Sequence, residues 1–581
     1  MSDIIVGIDL GTTNSLVGAV VDGKVQLFAG DNSEELLPSV VGMDEAGRVI
    51  VGRSARNRRL LDPAGTVVSV KRRMGKDERV RLGSKELTPP QVSALILSAL
   101  LDRAQQRLGA RPSRAVITVP AWFDDRQREA TRTAGELAGL AVERLVNEPT
   151  AAAMTYQSGA EECVLVYDLG GGTFDVSILD RDEGFLEVRS SRGDTQLGGD
   201  DIDKALAELV LSRLGDKRRV VENDARALTR LTEAVERAKI ALSDRQEVKL
   251  FDPFLAGEGD RAVHLDMPLT RADVDQVSTP FIQRTLVCID DALRDAKVEP
   301  RNLHRVLLVG GSSKMPIVAR MVSAHLKMPA LVDADADRAV ALGASMLAGR
   351  AAGAQIDEVL VDITPHTLSA GVLSGEDEED ALEGDLIASP VIARDTVVPV
   401  EKTRTYYTLF ENQPGVAFPI TQGEGEYVED NTFLGEVNVG DLPPSPARSP
   451  VEVTFTLDLS GVLHVSAKHM ASGKSATVTF SESPYRLTEY KRKAARDEIV
   501  KLLAPSQAAE PVAGAAEADL QLAKALLARA DKALEVAGSS PEDARRKVRE
   551  AVQALRSAVD ERAARVGELS DALSDALFDL A

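Results

Sequence analysis

Residues 8–20 read IDLGTTNSLVGAV and residues 167–179 read YDLGGGTFDVSIL, so one strand–turn–strand pattern occurs twice, about 160 residues apart. Each copy places an aspartate, Asp9 or Asp168, at a strand end before a turn rich in glycine and threonine. Backbone N–H groups in such turns can approach an anion closely. A single copy is more typical of an ordinary β-hairpin, which also has glycine at its bend. Two copies indicate a duplicated domain that clamps a nucleotide between its halves.

A third element supports this interpretation. The run VLLVGGSSKMPIVARMV, which begins at Val306, reads as a strand, a Gly-Gly turn and a helix whose N-terminus can face a nucleotide. Up to about Gln355 strands and helices alternate, which predicts an α/β fold with ligands at the carboxyl ends of strands.

The residue pattern changes after this region. Short β-branched runs from Asp362 to about Ser481 predict an antiparallel β domain, and a short apolar segment, residues 356–362, precedes it. From Leu487 the chain is helical, with an Ala/Pro-rich break near Pro505. In the last part, Val548, Val552, Leu555 and Val559 fall on one helical face and predict a small bundle. We therefore expect domains at 1–355, 363–482 and 483–581, with 356–362 as a linker.

Composition narrows the class of protein. The 581 residues are 44% hydrophobic and carry a net charge of −22, which disfavours partners such as nucleic acid and anionic membranes. No run is long enough to span a bilayer, and the N-terminus lacks the features of a secretory signal. Cys163 and Cys288 have no metal-ligand spacing and are predicted to be buried thiols in a reducing compartment. We expect a cytoplasmic protein.

In this order, the motifs resemble those of the heat shock protein 70 chaperones, the DnaK family. Besides the hairpins, the resemblance includes VKRRMG from Val70, ITVPAWFDDRQREATRTAGELAGL from Ile117, VNEPTAAA from Val146, GDTQLGGDDID from Gly193, ERAKIALS from Glu236, DRAVALGA from Asp337, DITPHTLS from Asp362 and GVLHVSAKHMASGK from Gly461. Actin-like sugar kinases share only the first two hairpins. The resemblance implies a duplicated actin-like, ribonuclease H-like ATPase domain, an antiparallel β-sandwich and a C-terminal helical lid.

The resemblance also implies how ATP or ADP is bound. The phosphates should lie on the turns of the two hairpins, at Gly11, Thr12, Thr13, Asn14, Gly170, Gly171 and Gly172. Asp9 and Asp168 should hold the waters around Mg²⁺, with K⁺ as a further candidate ion, and Thr173 and Asp175 should lie beside them. Lys71 should neutralise the terminal phosphate and steer the attacking water, and Glu148 should complete the network. From pattern alone, Lys71 is a surface cation and Glu148 a cap before Pro149.

The adenosine should lie between two groups of residues: Glu236, Lys239 and Ser243 on one side, and Gly310, Gly311, Ser312, Lys314 and Asp337 on the other. Positions 236, 239 and 243 share one helical face, which is also the pattern of a solvated amphipathic helix. Lys314 stands where relatives commonly have an arginine that stacks on the base. Because a flat guanidinium stacks better than an ammonium, we expect weaker binding of adenine.

By resemblance, a peptide groove is lined by Ala370, Val372, Leu373, Tyr407, Leu409 and Val416. Val416 is expected in its central pocket, and Leu373 with Leu409 in an arch over the peptide. By alternation alone the same residues could be core. An acidic insertion that begins at Glu376 follows Leu373 and should favour clients with flanking Lys or Arg.

Coupling between the domains is expected through Val359, Leu360 and Val361, an apolar segment that docks on the ATPase domain in this family. By pattern it is equally a first strand of the β domain. Pro120 and Arg128 match a relay inside the ATPase domain, and Arg144 and Asp362 match positions that contact J-domain partners. The implied partners are unfolded polypeptide clients, a J-domain co-chaperone and a GrpE-like nucleotide-exchange factor.

Three functions remain open at this point. The first is a chaperone ATPase that binds extended hydrophobic peptides and releases them in a nucleotide cycle. The second is a family member that holds ATP but serves mainly as an exchange partner, against which the Lys71, Glu148, Thr173 and Asp175 set argues. The third is a small-molecule kinase of the same superfold, which would leave the β domain without a role.

Overall fold

The computed structural model describes residues 4–30, 34–156, 161–182, 185–257, 262–332, 335–355, 359–373, 385–458, 462–480, 489–503, 517–536, 542–561, 563 and 565–580. These residues form two large mixed sheets with helices around them, a pair of antiparallel sheets and a set of C-terminal helices. The chain is thus a mixed α/β protein.

The first large sheet contains the first hairpin. Its strands are β1 Ile5–Asp9, β2 Asn14–Val21, β3 Lys24–Leu27, β4 Leu37–Pro38, β9 Arg114–Val119 and β10 Ala141–Asn147. They lie in the order β10-β9-β1-β2-β3, with β4 also paired to β2. β1 and β2 are antiparallel, whereas β9 runs parallel to β1 and β10. Asp9 therefore ends β1 at the edge of the sheet where ligands bind in α/β folds.

Smaller elements surround this sheet, and we call the whole unit lobe I. They are the hairpins β5 Val41–Met43 with β6 Val49–Val51 and β7 Val80–Leu82 with β8 Lys85–Leu87, and the helices α1 Arg53–Leu61, α2 Pro89–Leu108 and α3 Asp125–Leu137. Helix α2 begins where Thr88 and Gln91 form a capping box, and it ends at Gly109, whose φ of 77° favours glycine. α3 starts with the same device, formed by Asp124 and Gln127.

The second large sheet repeats the plan of the first, and with its helices it forms lobe II. Its elements are β11 Glu162–Leu169, β12 Phe174–Asp182, β13 Phe185–Asp194, β14 Glu247–Ala256, β15 Val263–Thr270, β16 Arg305–Val309, β17 Leu331–Val332 and β18 Val359–Val361, with α4 Glu148–Met154, α5 Gly199–Arg213, α6 Arg218–Glu222, α7 Ala225–Ala241, α8 Arg271–Ala296, α9 Pro316–Leu326 and α10 Ala339–Ala351. The sheet order is β17-β16-β11-β12-β13-β18, and β14 pairs with β15 separately. The β11–β12 hairpin is antiparallel and β16 is parallel to β11, as β9 is to β1. Helices α4 and α10 pack against each other, and α10 also packs on β1.

Strand β18 is the described part of the apolar segment that was expected to couple the domains; residues 356–358 lie outside the described residues. It pairs in parallel with β13, through Phe185, Leu186 and Glu187. Leu360 is buried in the same apolar cluster as Leu186. The segment is a strand, as one of the two alternatives held, but it extends the sheet of lobe II rather than opening the β domain.

The β domain consists of two four-stranded sheets, β20-β19-β22-β23 and β21-β24-β25-β26. The strands are β19 Leu368–Leu373, β20 Leu386–Ile392, β21 Val400–Tyr407, β22 Val416–Gln422, β23 Thr432–Val439, β24 Pro450–Leu457, β25 Leu463–His469 and β26 Ser475–Phe480. Each named pairing is antiparallel. Residues of both sheets share one apolar core, for example Ile420 with Phe455, so the sheets pack face to face.

The C-terminal helices are α11 Glu489–Leu503, α12 Glu517–Val536, α13 Glu542–Asp560 and α14 Val566–Leu580. Helix α11 packs on α2 and α3 of lobe I, where Arg492 Nη1 donates to Glu136 Oε2 at 2.7 Å. The last three helices form a bundle, and Val548, Val552 and Leu555 are buried in it as predicted. The break near Pro505 lies outside the described residues. No helix in the described part of the chain has the length and apolarity needed to cross a bilayer.

Candidate nucleotide-binding and catalytic site

The two hairpins face each other across a cavity of about 440 Å³ between the lobes. A Cβ atom on Gly171 would lie 1.9 Å from Thr13 Oγ1, so the two turns touch and only glycine fits there. Gly310, with a φ of 82°, approaches Asp168 Oδ1 in the same way. Most of the predicted nucleotide residues line this cavity: Asp9, Gly11, Thr12, Thr13, Asn14, Lys71, Glu148, Asp168, Gly170, Gly171, Thr173, Glu236, Lys239, Ser243, Gly310, Gly311, Ser312, Lys314 and Asp337. Gly172 and Asp175 are not among its lining residues.

Lys71 and Glu148 form a buried ion pair at the centre of the cavity. Lys71 lies in a short 3-10 turn, Val70–Arg73, and is 3% exposed, so the interpretation as a surface cation is wrong. Glu148 is the first residue of α4 and is 7% exposed. A pair held this far from water is expected to be fixed in position, because leaving either charge alone would be costly.

Three more carboxyls surround this pair. Burial first and the charge of Glu148 second raise the pKa of Asp9 to about 7, although Lys71 and the Thr118 hydroxyl act to lower it. Asp175 also has a pKa of about 7, again because of burial first and Glu148 second. The pKa of Asp168 is raised for the same reasons. The centre therefore has an excess of negative groups that a bound cation would stabilise in their charged form.

Asp9 and Asp168 are the two carboxyls that were expected to hold the waters around a cation. Within the described residues, no three His, Cys, Asp or Glu side chains lie close enough together to ligate a metal ion. Asp9 is the last residue of β1 and Asp168 the last but one of β11, and both line the cavity. Thr118 Oγ1 holds Asp9 Oδ1 at 3.0 Å, and the Trp122 N–H holds Asp175 Oδ1 at 3.0 Å.

On the expected adenosine side, each described cation has a carboxylate partner. Lys239 Nζ lies 2.8 Å from Asp203 Oδ1, Glu236 Oε2 lies 3.1 Å from Arg56 Nη2, and Lys314 pairs with Asp337. Ser243 corrects one expectation: α7 ends at Ala241, so Ser243 lies in the turn after the helix, although it still lines the cavity.

The sequence interpretation missed the residues that hold the lobes together beside Lys71. Ser69 Oγ donates to Asp200 Oδ2 at 2.5 Å, and Arg72 makes two bonds of 3.0 Å to Asp201. Asp200 and Asp203 also line the cavity. All three carboxylates lie in the motif from Gly193, where an acidic first turn after Gly-Gly was the available signal.

The residues expected to couple the domains meet at one place. Arg128 Nη2 donates to Asn147 Oδ1 at 2.6 Å, and Asn147 Nδ2 donates to Asp362 Oδ1 at 3.0 Å. Arg144 Nη2 lies 3.9 Å from Asp362, and Pro120 accepts from the Phe123 N–H in the turn before Arg128. Asn147, which was not predicted, joins this set to Glu148.

Further contacts join the two lobes to the β domain. The Asp125 N–H donates to Gln422 Oε1 at 2.8 Å, and Arg394 Nη2 lies 3.0 Å from Asp295. The rings of Trp122 and His366 pack edge to face, with centroids 4.6 Å apart.

The residues predicted for the peptide groove occupy different environments. Ala370 and Val416 lie in the core of the β domain, and Val372 packs on that core. Leu373 and Tyr407 are exposed, and Leu409 is half-buried. The acidic insertion lies outside the described residues except for Asp385.

Comparison with known proteins agrees with the order of the motifs. The model of the Hsp70 protein family matches residues 5–81 and 77–579. The chain is similar to the chaperone protein DnaK of Thermotoga petrophila, with 37% identity over 573 residues, which cover 96% of this chain and 93% of the relative. It is also similar to the chaperone protein DnaK of Mycoplasmoides gallisepticum, with 41% identity over 492 residues, 83% of this chain and 81% of the relative. The chain belongs to the Hsp70 protein family.

Proposed function

We propose that the cavity between the lobes binds ATP with Mg²⁺ and hydrolyses it, and that this reaction controls how the β domain holds extended hydrophobic peptides. Membership of the Hsp70 family makes the chain an ATP-dependent molecular chaperone and an ATPase that acts on unfolded polypeptides. The assignments to particular residues, domains, ions and partner proteins are the proposed part.

The observation that carries the site assignment is the buried Lys71–Glu148 pair between two facing phosphate turns. In this assignment the turns bind the phosphates through backbone N–H groups, and Lys71 offsets the charge that develops on the terminal phosphate. Glu148 orients Lys71, which steers the attacking water, and Thr173 and Asp175 lie beside Asp9 and Asp168. Asp9 and Asp168 would hold the waters around the ion. Mg²⁺ supplies charge neutralisation at the phosphates when it is bound, and K⁺ is a further candidate.

The division of the chain follows from this assignment. Residues 1–355 form an actin-like, ribonuclease H-like ATPase domain, residues 363–482 the peptide-binding sandwich and residues 483–581 the lid. The pairing of β18 with β13 supports 356–362 as a linker that docks on the ATPase domain. Groove residues then bind an extended peptide by hydrogen bonds to its backbone, while an aliphatic side chain fills the central pocket at Val416.

The partner proteins are proposed on the same basis. A J-domain co-chaperone would contact Arg144 and Asp362, which lie together beside the linker strand. A GrpE-like factor would exchange ADP for ATP. The acidic charge and the family support a cytoplasmic protein that binds neither nucleic acid nor membrane.

The test is ATP turnover by the full chain with and without an apolar heptapeptide. We expect slow basal turnover, stimulation by the peptide, and loss of turnover in Thr173→Ala. Thr279→Ala, which removes a hydroxyl from α8 away from the cavity, is the matched control and should behave like the unaltered chain. Turnover that ignores the peptide would favour the alternative of an exchange partner.

A further inference from the structure

The C-terminal bundle of α12, α13 and α14 contacts both ATPase lobes. Helix α12 packs on α1 of lobe I, and both α12 and α14 pack on β14 of lobe II. The apolar core of the bundle extends to Leu60 on α1 and to Phe251 on β14. The C-terminal bundle is therefore anchored on both lobe I and lobe II. These two lobes must move relative to each other if a nucleotide is to leave the cavity between them.

The anchor on lobe I combines an apolar and a polar contact. Leu60 packs against the bundle. The Asn57 side chain and the charge of Arg53, both on α1, act to lower the pKa of the Asp519 carboxyl on α12. Burial raises the pKa of Asp519, which is 8% exposed, so this carboxyl lies inside the contact and not at its rim.

The anchor on lobe II centres on Arg529. Its Nη2 atom donates to the Phe251 carbonyl at 3.1 Å and lies 3.5 Å from Asp252 Oδ2. Asp252 is 3% exposed and also lies 4.0 Å from Arg230 Nε of α7, so Arg529 shares in compensating a carboxylate that has little access to water. A charge-assisted contact of this kind ties α12 to β14 in a defined geometry.

The two anchors lie on either side of the contact between α1 and α7, which we call the seam. Arg56 on α1 and Glu236 on α7 form an ion pair of 3.1 Å across the seam. Glu236 also lines the nucleotide cavity. The bundle therefore spans the outer side of a contact that has to open when the lobes separate next to the expected adenosine.

The packing under the bundle is incomplete. A cavity of about 500 Å³ lies between the bundle and the lobes, lined by apolar side chains such as Leu61 and Leu577 and by charged ones such as Arg226. A domain core is filled much more closely. The contact has the specific anchors of an interface, and a groove remains between the bundle and the lobes beside them.

We infer that the surface formed by α1 and β14 binds the chain's own C-terminal bundle as a strap across the seam, and that the strap slows release of nucleotide. This inference rests on the proposed binding of nucleotide between the lobes. It assigns the bundle a role at the ATPase lobes in addition to that of a lid, and it implies that a partner which displaces the bundle accelerates exchange.

The test measures the release of a fluorescent ADP analogue from the full chain by stopped flow, with unlabelled ATP as the chase. Leu60→Asp removes the anchor on lobe I and should speed release about tenfold, since the apolar contact of a half-buried leucine is replaced by a charge. Arg529→Glu removes the anchor on lobe II and should speed release at least about threefold. A strap works only when both ends hold, so the double variant should be no faster than the faster single variant.

The matched control is Arg546→Glu, the same charge reversal on an exposed position of α13, which should leave the release rate unchanged. Circular dichroism and the stoichiometry of ADP binding confirm that each variant is folded. Unchanged release in both single variants, or rates that multiply in the double variant, would overturn the strap while leaving the nucleotide site intact. A chain that binds no ADP at all would overturn the proposed function together with the strap.

Discussion

The Asn147 side chain donates a hydrogen bond of 3.0 Å to Asp362 Oδ1, and so joins the residue before Glu148 to the residue after strand β18. Both side chains are buried. Asn147 Oδ1 also accepts a hydrogen bond of 2.6 Å from Arg128. The oxygen of the Asn147 amide therefore faces a guanidinium, and its nitrogen faces a carboxylate. This is a direct polar connection between the proposed catalytic pair and the start of the β domain.

Changing Asn147 to Asp should uncouple ATP hydrolysis from peptide binding. The acid keeps the acceptor for Arg128 but loses the donor to Asp362 and places two carboxylates face to face. A buried hydrogen bond to a charged group contributes about 1.5–3 kcal/mol, so the docked arrangement should lose roughly 10- to 100-fold in population. We expect the ratio of peptide-stimulated to basal ATP turnover to fall close to one. Asn302→Asp, on an exposed turn, is the control; an unchanged ratio in Asn147→Asp would refute this role.

Replacing Lys71 with Met should separate hydrolysis from binding. The ammonium is the described cation closest to Glu148 in the cavity, so its loss removes stabilisation of the charge on the transferred phosphate. Electrostatic groups of this kind contribute about 10²–10³-fold to rate. We expect single-turnover hydrolysis to slow by about that factor, while ATP still binds through the phosphate turns and the adenosine side. Lys85→Met on the exposed β7–β8 hairpin is the control. Equal loss of affinity and rate would show that Lys71 acts only in binding.

Val416→Phe should weaken the binding of apolar peptides by at least about tenfold, because the larger ring fills the pocket expected at the start of β22. Val416 is 9% exposed and part of the shared core of the two sheets. The measurement is the affinity for a labelled apolar heptapeptide with ADP present. Val397→Phe, at a valine that is 40% exposed, is the matched control. If Val416→Phe only lowered the melting temperature, the residue would be core and the groove would lie elsewhere.

The duplicated hairpins and the alternating elements were predictable because both are encoded locally, in Asp9 and Asp168 before glycine turns and in the period of the flanking strands. The contacts of Asn147 with Asp362, or of Arg529 with Asp252, join residues far apart in the sequence and have no local pattern. Ser243 shows that a local pattern can also mislead. Its spacing from Glu236 fits a helix, but the helix has already ended at Ala241.

A last prediction concerns pH and the contact between Trp122 and His366. His366 lies between the ATPase lobes and the β domain, and burial lowers the pKa of its ring below the ordinary value of 6.5. The Trp122 carbonyl, Asp124 and Glu424 oppose this shift, and the charge of Arg128 adds to it. When the domains separate, the ring regains water and its pKa returns towards 6.5.

The separated state therefore binds more protons than the docked state as the pH falls below about 6.5. Docking should be fully favourable above that pH and should weaken progressively as the pH falls towards the lowered pKa of the docked ring. Trp122 is the one tryptophan of the chain, so all tryptophan emission comes from this place, where the Arg192 guanidinium also lies 4.9 Å from the ring centroid. We expect its emission maximum to shift to longer wavelength on acidification. In His366→Leu, which keeps an apolar contact but cannot titrate, the shift should disappear; an identical pH profile in that variant would show that another group controls docking.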